Sequence, residues 1–134
     1  MRFVLDASAA LSLLLEEDAR DAAHEVSNLF GRGDSAVVPT LFIHEVTNAL
    51  VSALRRKRLE SAEAIELLDD LASLPITVDG RTVSAPRVLE LAVLHGLSAY
   101  DASYLELAMF TGASLASNDK SLLRAAANEG VLRA

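Results

Sequence analysis

Arg2-Phe3-Val4-Leu5-Asp6 decides the fold. An unbroken apolar run closed by an acid reads as a short strand covered on both faces, because a strand with one wet face alternates apolar and polar residues. Working outward, the same signal returns at Ala36-Val37-Val38, which Pro39 stops. It returns again at Ile76-Thr77-Val78, ahead of the turn pair Asp79-Gly80, and at Ser114-Leu115-Ala116-Ser117, with Val131-Leu132 as a final edge strand. Helical stretches separate these runs: Ala7 to Glu16, Arg20 to Phe30, and a long helix from the N-cap Thr40 to about Lys57. Ser61 to Ser73, Thr82 to His95, Ser98 to Phe110 and Asp119 to Asn128 follow, with Gly96 and Gly112 as stops. Strands alternating with one or two helices predict an α/β fold, a parallel sheet with helices on both faces.

A chain of 134 residues has the size of one domain, here expected to span residues 1–134, and buries roughly two-thirds of its unfolded surface. There is no cysteine, which excludes a disulfide framework, a thiol nucleophile and a cysteine-bound zinc, and suits a reducing cytoplasm. The apolar run Ala9 to Leu15 is too short to span a membrane and lacks the basic start and cleavage site of a signal peptide. A soluble cytoplasmic protein with no membrane role is the expectation. The formal net charge of −7 taken alone argues against nucleic acid. Equally, it fits acid gathered in a site that takes up metal ions before a polyanion approaches, and composition does not choose between the two.

In a parallel α/β sheet, ligands bind beyond the carboxyl ends of the strands. Asp6 closes the first strand and Asp119 follows the fourth. Glu45 lies in the second turn of the helix leaving the second strand. Asp101 lies in the first turn of a helix that runs down the sheet so that Ser114 to Ser117 runs back up. All four fall at one edge, provided that the first of the two helices between the third and fourth strands crosses obliquely. Each acid also has a purely structural reading. Asp6 favours a helix start, Ser98-Ala99-Tyr100-Asp101 is close to a capping box, and Asp119 suits a helix N-terminus. Glu45 sits on the shoulder of an apolar face made by Phe42, Ile43, Val46, Ala49, Leu50 and Ala53, where a carboxylate is costly unless paired or bound to a cation. Four neighbouring carboxylates repel one another and protonate unless a cation is present. An all-oxygen set suits Mg²⁺ or Mn²⁺ rather than zinc. Such an ion lowers the pKa of water and neutralises charge on a phosphodiester, which is nuclease chemistry.

Four segments carry a resemblance: Val4-Leu5-Asp6-Ala7-Ser8, Phe42-Ile43-His44-Glu45-Val46-Thr47-Asn48, Leu97-Ser98-Ala99-Tyr100-Asp101-Ala102 and Leu115-Ala116-Ser117-Asn118-Asp119. Together, in order and at suitable spacing, they resemble the signature segments of PIN-domain ribonucleases, and are most similar to the VapC-type toxins of bacterial toxin–antitoxin pairs. The resemblance implies a PIN-like three-layer α/β/α sandwich with a short parallel sheet of four to five strands. It also implies an Mg²⁺- or Mn²⁺-dependent endoribonuclease, a cognate antitoxin that inhibits it, and a homodimer. Asp6, Glu45 and Asp101 match the family's core acids and Asp119 its more variable fourth, as catalytic and metal-binding positions. Ser8, Asn48 and Ser117 match supporting positions.

Arg55-Arg56-Lys57-Arg58 is the one basic cluster. It reads either as solvated charge complementing a helix C-terminus or as a phosphate contact for RNA. His24, His44 and His95 match no acidic position. A receiver-type domain would pair acids after the first strand, and an aspartyl phosphatase would place a second acid where Ser8 stands. The competing reading that survives is a PIN-like module that binds RNA or protein without cutting.

Overall fold

Side chains alternate across each strand, and that alternation builds three layers here. Phe3, Leu5, Ala36, Val38 and Ala116 face one side of the sheet, Val4, Val37 and Leu115 the other, and all are buried. The computed structural model describes residues 1–15 and 21–134. Its strands are β1 (Arg2–Leu5), β2 (Ser35–Val38), β3 (Ile76–Val78) and β4 (Ser114–Ala116). They pair in the order β3-β2-β1-β4, every pair parallel. Helices α1 (Ala7–Leu15), α2 (Asp21–Gly31), α3 (Leu41–Arg55) and α4 (Ser61–Ser73) seal the first face. Helices α5 (Ala85–His95), α6 (Ala99–Thr111) and α7 (Lys120–Asn128) seal the second. The expected α/β/α sandwich is what forms.

The strand order explains the two faces. From β1 to β2 to β3 the chain steps in one direction, then returns past β1 to place β4 on its far side. Crossovers of one hand that step in opposite directions leave their helices on opposite faces. The reversal lies between β1 and β4, which is where a sheet of this kind offers a crevice beyond the carboxyl ends of its strands.

Several element ends differ from expectation, each for a local reason. Glu16 and Arg20, expected at helix ends, lie outside the described residues. Thr40 does not cap α3 through its side chain. Its backbone is already helical, and the Phe42 N–H bonds the Pro39 carbonyl at 3.1 Å. On α3 Phe42, Val46 and Leu50 are buried but Ile43 is exposed, because the helix is covered along one narrow i, i+4, i+8 stripe. The helix stops at Arg55, and Lys57 takes φ +56°, with the N–H groups of Lys57 and Arg58 turned back to the carbonyls of Leu54 and Ala53. Helix α5 begins at Ala85 rather than Thr82. A helical Thr82 would place its carbonyl against the Pro86 ring, so Ser84 becomes the N-cap and Pro86 enters the first turn. Gly96 and Gly112 end α5 and α6 in the left-handed conformation, as expected. The final edge strand is a single parallel bridge, Leu115 to Arg133, rather than a strand over Val131-Leu132.

The oblique crossing is anchored by a charge pair that the sequence did not reveal. The Asp79 N–H bonds the Val38 carbonyl at 2.8 Å, which fixes the exit from β3. Two residues on, the Arg81 guanidinium donates to both oxygens of buried Glu106 at 2.9 and 2.8 Å and to Asp79 at 3.0 Å. It also lies 3.7 Å from the centre of the Phe110 ring. Both Glu106 and Phe110 belong to α6, so the loop after β3 is tied to that helix and α5 packs chiefly against it. No helix among the described residues is long and apolar enough to cross a membrane.

Arg81→Ala would leave Glu106 buried without its counterion and should cost about 3 kcal/mol in urea unfolding. Arg81→Met combined with Glu106→Leu removes both charges and should cost much less. Equal losses in the two proteins would show that the pair is not the anchor.

Candidate active site

The crevice between β1 and β4 is built from the residues that end those strands. Asp6, just past β1, is 4 % exposed. Its Oδ1 accepts hydrogen bonds from the Ser8 hydroxyl at 2.7 Å and the Ala9 N–H at 3.0 Å, and its Oδ2 accepts one from the Ser117 hydroxyl at 2.6 Å. Ser117, just past β4, in turn accepts the Asp119 N–H at 2.9 Å, and Ser8 accepts the Asn118 N–H at 3.0 Å. One carboxylate thus joins two strand ends 111 residues apart in sequence. Three donors occupy three of the roughly four lone-pair positions of a carboxylate, which leaves Asp6 room for one more partner.

The other acids arrive on helices. The first turn of α6 carries Asp101, whose N–H bonds the Ser98 hydroxyl at 3.1 Å. Asp119 caps α7 with Oδ1, which accepts the Leu122 N–H at 3.1 Å. From α3, half-buried Glu45 offers Oε1 to the Tyr104 hydroxyl at 2.6 Å. The capping readings therefore hold for Asp6 and Asp119 without using up either side chain, whereas at α6 Ser98 is the cap and Asp101 contributes only its N–H.

Electrostatics ties the acids together. Burial pushes the Asp6 carboxyl above its ordinary pKa against the pull of Ser117, Ala9 and Ser8, and the Asp101 charge adds to the rise. Asp101 is raised first by burial and then by Asp119. Burial, the bond to Glu45 and the charges of Glu45 and Asp6 hold the Tyr104 phenol far above its ordinary value, so it stays protonated and donates. Among the described residues no three acidic or imidazole groups are drawn together into a finished metal cage. The donor set is nonetheless that of a hard divalent cation: carboxylate oxygens only, raised pKa values at two of them, and mutual repulsion that a cation relieves.

Of the supporting positions, Ser8 and Ser117 grip Asp6, whereas Asn48 is exposed on α3. Arg55, Arg56, Lys57 and Arg58 are all exposed at the far end of α3, about 15 Å along the helix from Glu45. His44 is exposed. Reading the sequence missed Tyr104, whose position one turn below Asp101 was the available signal. It also missed Asn118, whose side-chain amide bonds Ser12 and the Ser8 carbonyl.

These features define an α/β sandwich with an acidic crevice at the reversal point of its sheet. The PIN domain family pattern matches residues 3–128, and the chain belongs to that family. It is 31% identical over 125 residues to Ribonuclease VapC1 of Mycobacterium tuberculosis, covering 83% of this chain and 92% of that one. The crystal structure of PAE2754 from Pyrobaculum aerophilum superposes with a TM-score of 0.73 at 29% identity, over 93% of this chain and 84% of the other. VapBC2 from Rickettsia felis, bound to a DNA fragment from its promoter, shares the fold at a TM-score of 0.68 and 14% identity, over 100% of this chain and 98% of that one.

A raised carboxyl pKa means that ionising Asp101 weakens the fold. The group favours the native state below the ordinary carboxylate range, and that advantage is lost as pH rises through the raised value. Metal-free Asp101→Asn should therefore melt a few degrees above the unsubstituted protein near pH 7, with the gap closing as pH falls below the ordinary range. A gap independent of pH in calorimetric scans would contradict this origin.

Proposed function

We propose that this chain is a Mg²⁺- or Mn²⁺-dependent endoribonuclease of the VapC type, the toxin of a type II toxin–antitoxin pair. It would work in the cytoplasm, with residues 1–134 as one PIN-like domain. The observation that carries the reading is the convergence of acids where β1 and β4 end: Asp6 closes β1, Asp119 follows β4 and caps α7, and Asp101 lies in the first turn of α6, near enough to raise the Asp6 pKa and to be raised by Asp119. A metal-independent binding module has no use for that repulsion, whereas a cation site depends on it.

In this reading Asp6, Asp101 and Asp119 hold the cation and Glu45 completes the set. When bound, the cation supplies Lewis acidity at the scissile phosphate and offsets the charge that grows there. The chain's own part is positional. Ser8, Ser117 and the Ala9 N–H lock the rotamer of Asp6, so that its remaining lone pair would meet the cation without reorganisation. Asp119 keeps one oxygen free while the other caps α7. The exposed cluster Arg55–Arg56–Lys57–Arg58 grips RNA phosphates away from the acids.

The partner would be a cognate antitoxin. Where α1, α3 and α4 meet, two adjoining hollows of about 310 and 240 Å³ share Leu15 and Leu59. Arg56 and Arg58 rim one end, and Glu63, Glu66 and Asp70 the other. An apolar segment bearing acid at one end and base at the other would fit that rim. The chain would also form a homodimer, supported by exposed Leu89, Val93 and Leu94 on α5 with Tyr100 and Phe110 on α6.

Purified protein should cut cellular RNA into discrete fragments with Mn²⁺ or Mg²⁺ but not with EDTA, and Asp6→Asn and Asp101→Asn should abolish cutting. In the same assay over a salt series, Arg55→Ala with Arg56→Ala should flatten the salt dependence of RNA binding by about one to two in log–log slope. Absence of cleavage from folded, inhibitor-free protein would leave the binding-module reading. Light scattering at micromolar concentration should give twice the chain mass, and a monomer mass would remove the homodimer.

A further inference from the structure

Tyr104 stands apart from the rest of the core. It heads the fully buried side chains by size, at 1 % exposure, and it sits on α6 in a row of buried residues from Tyr104 to Ala108. A buried phenol seeks a hydrogen-bond partner, and most find a backbone carbonyl or water. Here the partner is a carboxylate on another helix, Glu45 Oε1, at 2.6 Å and 59 residues away in sequence. That length lies at the short end of the range for an O–H donor meeting a carboxylate oxygen.

The two acids at the ends of the strands are each held by partners at those same ends. Asp6 has three donors and Asp119 caps its own helix. Glu45 has a longer side chain with one more rotatable bond and sits half-exposed on α3, so more freedom must be removed to fix it. Among the described residues Tyr104 is the group seen to hold it. Tyr104 lies three residues after Asp101, on the same face of α6. A single helix therefore presents one acid directly and reaches the other through a rigid ring.

We propose that Tyr104 is the positioning residue for Glu45, its hydroxyl fixing one carboxylate oxygen so that the other is presented to the cation and substrate at the β1–β4 crevice. This rests on the nuclease reading of the site. It adds a residue that touches neither RNA nor cation and acts only through Glu45. The contrasting possibility is a core tyrosine whose hydroxyl has merely found an acceptor.

The test measures Mn²⁺ affinity calorimetrically on RNA-free protein, with kcat and KM on an RNA oligonucleotide beside it. Tyr104→Phe keeps the ring and should keep the melting temperature within a few degrees. It should weaken Mn²⁺ binding by about ten-fold, as loss of a group supporting a ligand does, and lower kcat by a similar factor with KM little changed. Glu45→Gln should weaken Mn²⁺ binding on its own. Adding Tyr104→Phe to Glu45→Gln should then change the affinity by less than about two-fold, since the two act as one unit. Unchanged affinity in Tyr104→Phe, or a full further loss on top of Glu45→Gln, would overturn the proposal while leaving the nuclease reading intact. No Mn²⁺ uptake by the unsubstituted protein, or no effect of Glu45→Gln, would bring down the reading of the site and the proposal with it.

Discussion

Everything at the working edge of this molecule depends on burying one carboxylate between two strands. Asp6 is almost wholly removed from water, and a charge so placed is tolerated only with its lone pairs engaged. Ser8, Ala9 and Ser117 engage three of them, and Ser117 belongs to the far strand of the crevice. The requirement to satisfy Asp6 therefore fixes how the end of β4 sits beside the end of β1. Asp119 and Asn118 follow within two residues, each bound through its own N–H to one of the same serines. Solvating one acid internally places the next.

Helix starts and the proposed site share the same residues. Asp6 caps α1, Asp119 caps α7, and Asp101 sits where the Ser98 hydroxyl accepts its N–H at the start of α6. A helix N-terminus favours negative charge, so each acid is partly stabilised where it stands. That support offsets some of the repulsion along Asp6, Asp101 and Asp119 but does not remove it, because Asp6 and Asp101 still lie above their ordinary pKa. On the proposed reading, that balance lets the acids stand together and still favour a cation.

Features that depend on local chemistry were legible in the sequence. Short apolar runs gave the four strands, Gly96 and Gly112 marked helix ends, and strand topology sent four acids to one edge. What stayed hidden depends on contacts between distant segments. Glu106 carries no local signal that sets it apart from other helical acids, and its partner Arg81 lies 25 residues earlier. The Tyr104 ring is core, and only its hydroxyl crosses to Glu45. Ile43 belonged to the apolar arc of α3 on a helical wheel, but a wheel does not show how much of that arc its neighbours cover. Thr82 and Val83 lost their helix to a proline that was in plain view.

A net charge of −7 taken alone argues against a polyanionic substrate, and on the proposed reading the spacing along α3 reconciles the two. That helix carries Glu45 near its start and the exposed basic cluster at its end, about 15 Å apart. At physiological ionic strength, charges through solvent are screened over about 8 Å. The cations are thus not cancelled by the carboxylates of the crevice, nor would phosphates held by them feel those carboxylates at full strength. Close in, the repulsion is unscreened, and there a divalent cation is the natural counter-charge. On the proposed reading, attraction at one end of α3 and conditional repulsion at the other let RNA be held by the protein alone but approach the acids only once the cation is in place.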